Sequence, residues 1–395
     1  MSDSQKKNKE SNHKPPILWA QTMMFVITMA IALIAVPWYG FTTGYHWSQW
    51  TGFVFILGAN GIAITAGYHR LWAHNAYKAH PILRMFYALF GAAAFQNSIL
   101  IWASGHRRHH RHVDDIEHDP YSAQKGLWFS HMGWMIRDYP AGRDDFANAR
   151  DLQRDKIVMW QHNHYMKIAL AMNFIPAMLV GWACGDIVGG IMLAGVLRLV
   201  VSHHTTFFIN SLAHFWGRQP YTDENSARDN GILALFTYGE GYHNYHHIFQ
   251  NDYRNGIRWW HFDPTKWLIK SCSWVGLASD LKKIPNFKIQ RALIAMQFKR
   301  AEEKLKQAKA VDVNAVTEFL EYEYQQFAAS LQEWKQLSQK AYSDSYQQLV
   351  ESKELLQQKW EEVSLKSRFK ELEYTLKMQA QRLHMLTLEL QAAAA

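Results

Sequence analysis

The sequence predicts an all-α membrane protein with four transmembrane helices, an interfacial helix, a cytosolic helical cap carrying a histidine-rich metal site, and a C-terminal helical extension. The first observation is the stretch from Pro15 to His69, which has no Asp, Glu, Lys or Arg and divides into apolar segments over 17–39 and 50–68. Each arm approaches the roughly 20 residues needed to cross a ~30 Å hydrocarbon core, so the pair reads as a hairpin. The second is another apolar pair over 168–184 and 187–203, separated by Gly185 and Asp186, with Arg198 as the one charge inside its second arm. The third is a set of histidine clusters beside the boundaries of these segments.

Orientation follows from the flanks. Both hairpin turns are poor in Lys and Arg, whereas the N-terminal tail and the Arg70–Lys167 segment are rich in them. Positive charge is retained on the cytosolic side, so both termini and the long connecting segment are expected there, in an inner or cell membrane. The polar tail over 1–14 precedes an apolar stretch too long for a removable leader and without a small-residue cleavage signal, so a retained anchor is expected. A further apolar run, Met85–Ser104, is long enough on hydropathy to be a fifth span. A crossing there would place the histidines before and after it on opposite faces, so an interfacial helix is expected instead.

Composition agrees. The chain has 17 Trp, 18 Tyr and 21 Phe in 395 residues, an aromatic excess of the kind membrane interfaces require. The formal charge of +8 favours anionic partners such as lipid headgroups. Cys184 and Cys272 are the only cysteines, which excludes a disulfide framework and a thiolate metal site. Any metal must be held by nitrogen or oxygen.

Three clusters supply nitrogen: His69 and His74 (H-x4-H) where the first hairpin returns, His106, His109 and His110 (H-x2-H-H) after the interfacial run, and His243, His246 and His247 with the same spacing. In a helix, positions i, i+3 and i+4 share a face, so each H-x2-H-H is expected to aim three imidazoles at one point. Alone, the run His106–His112 reads equally as a basic patch for nucleic acid or anionic lipid. Repetition at membrane boundaries on one side argues for metal instead, because neutral imidazoles convey no steady charge at pH 7, and no nucleic-acid partner is expected. Ligand type leaves iron, copper, zinc and nickel open. Eight or nine imidazoles exceed the needs of one zinc ion and suffice for two ions with positions left open for oxygen.

These residues resemble the integral-membrane acyl desaturases, and within them the stearoyl-type group that acts on acyl-CoA. The likeness runs from about Pro15 to about Pro285. It rests on the three boxes together with Ala94-Phe95-Gln96-Asn97, Asn210-Ser211-Leu212-Ala213-His214 and Asp263-Pro264-Thr265-Lys266-Trp267. The resemblance implies two iron ions (Fe2+/Fe3+), O2 as co-substrate, and removal of two hydrogens from adjacent methylenes to leave a cis double bond. It implies that His214 is a ninth imidazole ligand beside His69, His74, His106, His109, His110, His243, His246 and His247, and that Asn210 is a ligand through water. It further implies that Gln96, Asn97, Trp102 and Thr206 contact the acyl chain. Ser104-Gly105 stands where many of these enzymes have an Arg-Asp pair, so acyl-lipid and acyl-carrier protein remain open beside acyl-CoA. The sequence has no His-Pro-Gly-Gly haem signature, and electrons are expected from a separate electron-transfer protein. An alkane-type membrane monooxygenase is the nearest rival, with longer box spacings and extra histidines. A metal transporter would place its ligands mid-span rather than at helix ends.

His112, His118, His131, His162, His164 and His261 are expected to be surface or hydrogen-bonded residues, and His203 and His204 interfacial ones. The desaturase-like region is expected over 15–285 and a helical extension over 286–395, where Gly and Pro are absent after Pro285. Apolar residues recur there at three and four (Phe319, Leu320, Phe327, Leu331, Trp334, Leu337, then Leu355, Trp360, Val363, Phe369, Leu372, Leu376). A break near Ala341–Ser345 is expected to fold it into a hairpin that docks intramolecularly or self-associates.

Overall fold

The computed structural model describes residues 14–305, 313–347 and 355–394, so the polar tail lies outside the described residues apart from Lys14. The chain divides into two compact units, one of 1–219 with 224–283 and one of 220–223 with 284–395.

Among the described residues of the first unit, four helices are long and apolar enough to cross a membrane: α1 (Trp19–Thr42), α2 (Trp47–Ala73), α3 (Tyr165–Ala183) and α4 (Ile187–Phe215). Leu33, Ile34, Val54, Phe55 and Leu179 are exposed on them, as faces turned to lipid must be. At the hairpin turns one carboxylate ties the two pairs together. Asp186 caps α4 through Gly189 N (2.9 Å) and accepts from Tyr39 Oη (2.7 Å) on α1 and Gln49 Nε2 (2.9 Å) on α2. The opposite end carries the histidines. There α2 and α4 run further than hydropathy indicates, to Ala73 and Phe215, so His69, Asn210 and His214 sit on the last turns of spanning helices.

The apolar run over 85–104 is not one helix. A helix over Pro81–Ala92 ends, the chain turns through 93–98 with Phe95 and Asn97 at positive φ (55° and 74°), and a second helix, Ile99–Arg111, begins at the Ser98 cap. Neither piece, at 12 and 13 residues, can cross a bilayer. The first helix ends inside the protein, and its terminal carbonyls need donors. The spans supply them: Asn60 Nδ2 donates to Phe90 O (2.7 Å), Arg198 Nη1 to Ala93 O (2.7 Å) and His203 Nε2 to Ala94 O (2.8 Å). Arg198 and His203 are therefore buried structural donors, which corrects the interfacial placement expected of His203.

Close packing sets the depth of the histidine-bearing end of α2. A Cβ on Gly91 would lie 2.2 Å from the Tyr68 ring, and one on Gly67 would lie 2.6 Å from Tyr87 Cβ. A two-stranded ribbon, Lys78–Ala79 against Ala278–Ser279, then joins the segment after α2 to the end of the helix Pro264–Trp274.

Among its described residues the second unit contains three helices, Asn286–Leu305, Val313–Gln347 and Leu355–Ala394. Phe287, Ile294, Phe298, Leu320, Phe327, Leu376 and Leu383 form its core. Helix Val313–Gln347 runs straight through Ala341–Ser345, because Ala, Tyr, Ser and Asp are tolerated inside a helix whose neighbours bury its apolar stripe. Residues 348–354 lie outside the described residues, as do the side-chain surroundings of Leu355, Trp360 and Val363. Phe369 and Leu372 lie on the stripe as expected, with Phe369 6.0 Å from the Trp334 ring and Leu372 buried.

Gly91→Val is expected to destabilise the first unit by about 1–3 kcal/mol through overpacking against Tyr68, read as a lower unfolding temperature in detergent. Gly105→Ala, with open space around it, is expected to leave that temperature unchanged.

Candidate metal centre

The H-x4-H spacing of the first box would place its histidines about 140° apart on an α-helix. The end of α2, however, is wound as a π-helix over Ala63–Ala73. His74 N bonds His69 O at 3.1 Å, an i→i+5 closure that stacks the two residues on one face. His106, His109 and His110 lie on the helix Ile99–Arg111, and His243, His246 and His247 on the short helix His243–Ile248.

Among the described residues the nine histidines form two adjoining groups. His69, His74, His106, His110 and His246 make one, and His109, His214, His243 and His247 the other; within each, the ligand nitrogens lie within 4.8 Å of one another. The expectation that each H-x2-H-H converges on one point is corrected. Residues i+3 and i+4 diverge by about 100° around a helix, so a triplet between two sites divides two to one. His106 and His110 serve the first group while His109 serves the second; His243 and His247 serve the second while His246 serves the first. The groups share a wall where His110 and His247 stack at 4.3 Å and 17°.

The inward atoms are Nε2. They approach at 2.9 Å (His69 to His246, and His74 to His106), 3.0 Å (His246 to His110) and 3.1 Å (His243 to His214, and His247 to His243). A metal–imidazole bond of ~2.1 Å puts neighbouring octahedral ligands ~3.0 Å apart, so these spacings fit two first-row metal ions. Burial, then the neighbouring imidazoles, holds His106, His110, His243, His246 and His247 well below the ordinary histidine pKa. They are neutral at pH 7, with a lone pair free to ligate.

Several outward nitrogens are anchored. His69 Nδ1 lies 3.0 Å from Glu240, His109 Nδ1 2.9 Å from Asp119, His106 Nδ1 3.2 Å from Tyr121 Oη and His214 Nδ1 2.8 Å from Ser226 Oγ. Burial pushes the Glu240 carboxyl up, but His69 and Arg70 outweigh it and hold it below its usual value. The buried Arg70 guanidinium bonds Glu240 at 2.9 Å and Asp263 at 3.0 Å. Asp263 also caps the following helix at Lys266 N (2.8 Å) and receives Asn255 N and Gly256 N, both at 3.0 Å. This strut locks the first box to the loop around the third. Sequence reasoning missed Glu240, Asp119, Tyr121 and Ser226, whose one signal there is closeness to a histidine box or its flanking element.

A cavity of about 660 Å³ opens beside the first group. It is lined by His69 and His106, by Met24, Phe25, Ile101 and Phe207, and by five predicted site residues: Gln96, Asn97, Trp102, Thr206 and Asn210. Gln96 Nε2 donates to Thr206 Oγ1 at 3.0 Å, Trp102 stacks on His106 at 4.9 Å, and Asn97 N donates to Tyr165 Oη at 3.0 Å. One wall is the start of α1, pinned by Leu18 N to Ile136 O (3.0 Å) and Asp138 N to Pro16 O (3.0 Å).

The family model "Fatty acid desaturase" matches residues 45–274. The chain belongs to that family. Among the relatives of this desaturase-family chain, "Acyl-CoA desaturase 1" of Saccharomyces cerevisiae is 42% identical over 291 residues, covering 72% of the chain and 57% of the relative. "Probable acyl-CoA desaturase" of Schizosaccharomyces pombe is 45% identical over 282 residues, 71% of the chain and 58% of the relative. "sn-2 palmitoyl-lipid 9-desaturase" of Nostoc sp. is 34% identical over 285 residues, 70% of the chain and 94% of the relative. The chain thus spans less than two thirds of the two yeast relatives.

The histidines expected to lie outside the boxes have other partners. His131 bonds Ser211 Oγ (2.9 Å) and His204 Nδ1 (3.0 Å), His162 bonds Ser98 Oγ (2.7 Å), His164 its own helix at Trp160 O (2.9 Å), and His261 stacks on Tyr242 (4.4 Å). His112 and His118 group with Asp115 at the surface.

Protein purified with a first-row metal is expected to hold about two ions per chain, and His243→Ala about one, because that substitution strips only the four-histidine group. Elemental analysis of the purified variants measures this.

Proposed function

We propose that this chain is an acyl desaturase that introduces a cis double bond into a saturated acyl chain bound in the cavity beside the histidines. The observation that carries the reading is the apolar cavity ending on His69 and His106 in a chain of the desaturase family. The nine imidazoles would hold two iron ions, with Asn210 acting through water. Bound there, the pair supplies the O2-cleaving oxidant that no side chain can provide. In the overall balance O2 takes up four electrons, two from the acyl chain and two from a separate electron-transfer protein, and leaves as two waters.

The chain's own residues bind and orient. Met24, Phe25, Ile101 and Phe207 give the methylenes an apolar wall. The Gln96–Thr206 hydrogen bond fixes a polar stop at which the acyl chain bends, and Trp102, held flat on His106, sets the approach of one C–C bond. Distance along the cavity then selects the position of the double bond.

Acyl-CoA is the favoured carrier. Arg108, Arg137 and Arg143 line the same cavity and suit a phosphorylated headgroup, compensating for the Ser104-Gly105 departure. Ser104 itself is committed to Asp145 O (2.5 Å) and Asn148 Oδ1 (2.7 Å). The palmitoyl-lipid desaturase of Nostoc sp. supports acyl-lipid as the second reading. Both termini and the metal centre face the cytosol in this proposal, on the strength of the Lys and Arg distribution.

Purified, iron-loaded protein given a saturated acyl-CoA, O2 and a reducing system is expected to yield a cis-monounsaturated product by gas chromatography. A hydroxylated product would move the chain to the monooxygenase class, and turnover only of a glycerolipid would select the acyl-lipid reading. His247→Ala is expected to abolish unsaturation while the protein stays in the membrane. Thr206→Val, which removes the partner of Gln96, is expected to lower kcat/KM about ten- to hundredfold and to broaden the double-bond position.

A further inference from the structure

The two histidine groups are backed by different charges. Behind the five-histidine group, the Glu240 carboxylate lies 3.0 Å from His69 Nδ1, and its charge is answered by the buried Arg70, which also pairs with Asp263.

The four-histidine group is backed from the loop after the helix Ile99–Arg111. Asp119, fully buried, accepts from His109 Nδ1 at 2.9 Å. Its other oxygen accepts from Asp114 N at 3.1 Å. Asp114, held at φ 66°, accepts from Ser226 N (2.6 Å) and Ser226 Oγ (2.5 Å). Ser226 Oγ in turn receives His214 Nδ1 at 2.8 Å. Two of the four imidazoles are thus backed by neighbouring carboxylates, His109 by Asp119 and His214 through Ser226 by Asp114, the two being joined where the Asp114 main-chain N–H meets Asp119. Among the described residues, neither Asp114 nor Asp119 forms an ion pair with Lys or Arg.

Because an aspartate can only accept, Asp119 fixes the proton of His109 on Nδ1. Ser226, whose own proton goes to Asp114, does the same for His214. Each Nε2 is left as a lone pair aimed into the group, and two carboxylates raise the donor strength of that group without a cation to offset them.

We propose that Asp119, and Asp114 acting through Ser226, are positioning residues for the four-histidine position alone, fixing the tautomer of His109 and His214 and raising the affinity of that position for its metal. The proposal rests on the reading of the nine histidines as ligands of two metal ions.

The test uses full-length protein loaded with 57Fe. Iron per chain, its loss to a chelator and the Mössbauer spectrum are compared in wild type, Asp119→Asn and Ser226→Ala. Asp119→Asn keeps an oxygen acceptor for His109 while removing the charge and the acceptor for Asp114 N; Ser226→Ala cuts the relay to His214 and leaves both carboxylates in place. Each variant is expected to release one iron ten- to a hundredfold more readily, with one spectral component altered and the other as in wild type. Loss of both irons in step, or wild-type retention of both, would overturn the proposal. If Asp119→Asn fails to fold, Ser226→Ala alone decides between the same outcomes. Wild-type protein holding fewer than two irons would instead sink the ligand reading itself, and the proposal with it.

Discussion

Nine imidazoles cannot be withdrawn from water at one place unless their inward nitrogens have something to bind. Each neutral ring presents one nitrogen that donates and one that accepts, and a buried acceptor facing other acceptors is costly. In this protein Nε2 atoms crowd to about 3 Å, while His109, His214 and His69 turn Nδ1 outward to oxygen. The arrangement makes physical sense when a cation sits between the lone pairs, and much of the fold can be understood as holding those nitrogens in place against their mutual crowding.

The holding is done by elements that the membrane makes rigid. Two spanning helices extend past their apolar lengths to deliver His69 and His214, and donors on the spans satisfy the carbonyls of a helix that ends inside the protein. The same broken turn at 93–98 places Gln96 and Asn97 at the cavity. The backbone device that ends one apolar helix early thus also forms part of the wall against which an acyl chain would lie.

Much of this was legible in the sequence. Among the described residues four helices are long and apolar enough to span, the three boxes lie together, and Gln96, Trp102, Thr206 and Asn210 line one cavity. Two features differ from expectation for local reasons. Continuous hydropathy over 85–104 conceals a break that depends on left-handed backbone at Phe95 and Asn97, stabilised from α2 and α4. Permissive residues at 341–345 resemble a turn, yet helix Val313–Gln347 continues because its stripe packs against two neighbours. The triplet reading of H-x2-H-H treats each helix alone; two sites on either side of the helix divide the same three residues.

By itself the sequence determined that this chain has four segments apolar enough to cross a membrane and histidine clusters that could hold metal through nitrogen, because apolar length and donor type are properties of local residues. Only the tertiary structure decided which imidazole serves which group, that α2 winds as a π-helix to align His69 with His74, and that Glu240, Asp119 and Ser226 stand behind the rings. Those facts depend on distances between segments separated by up to 177 residues, such as His69 and His246, and no local pattern encodes them.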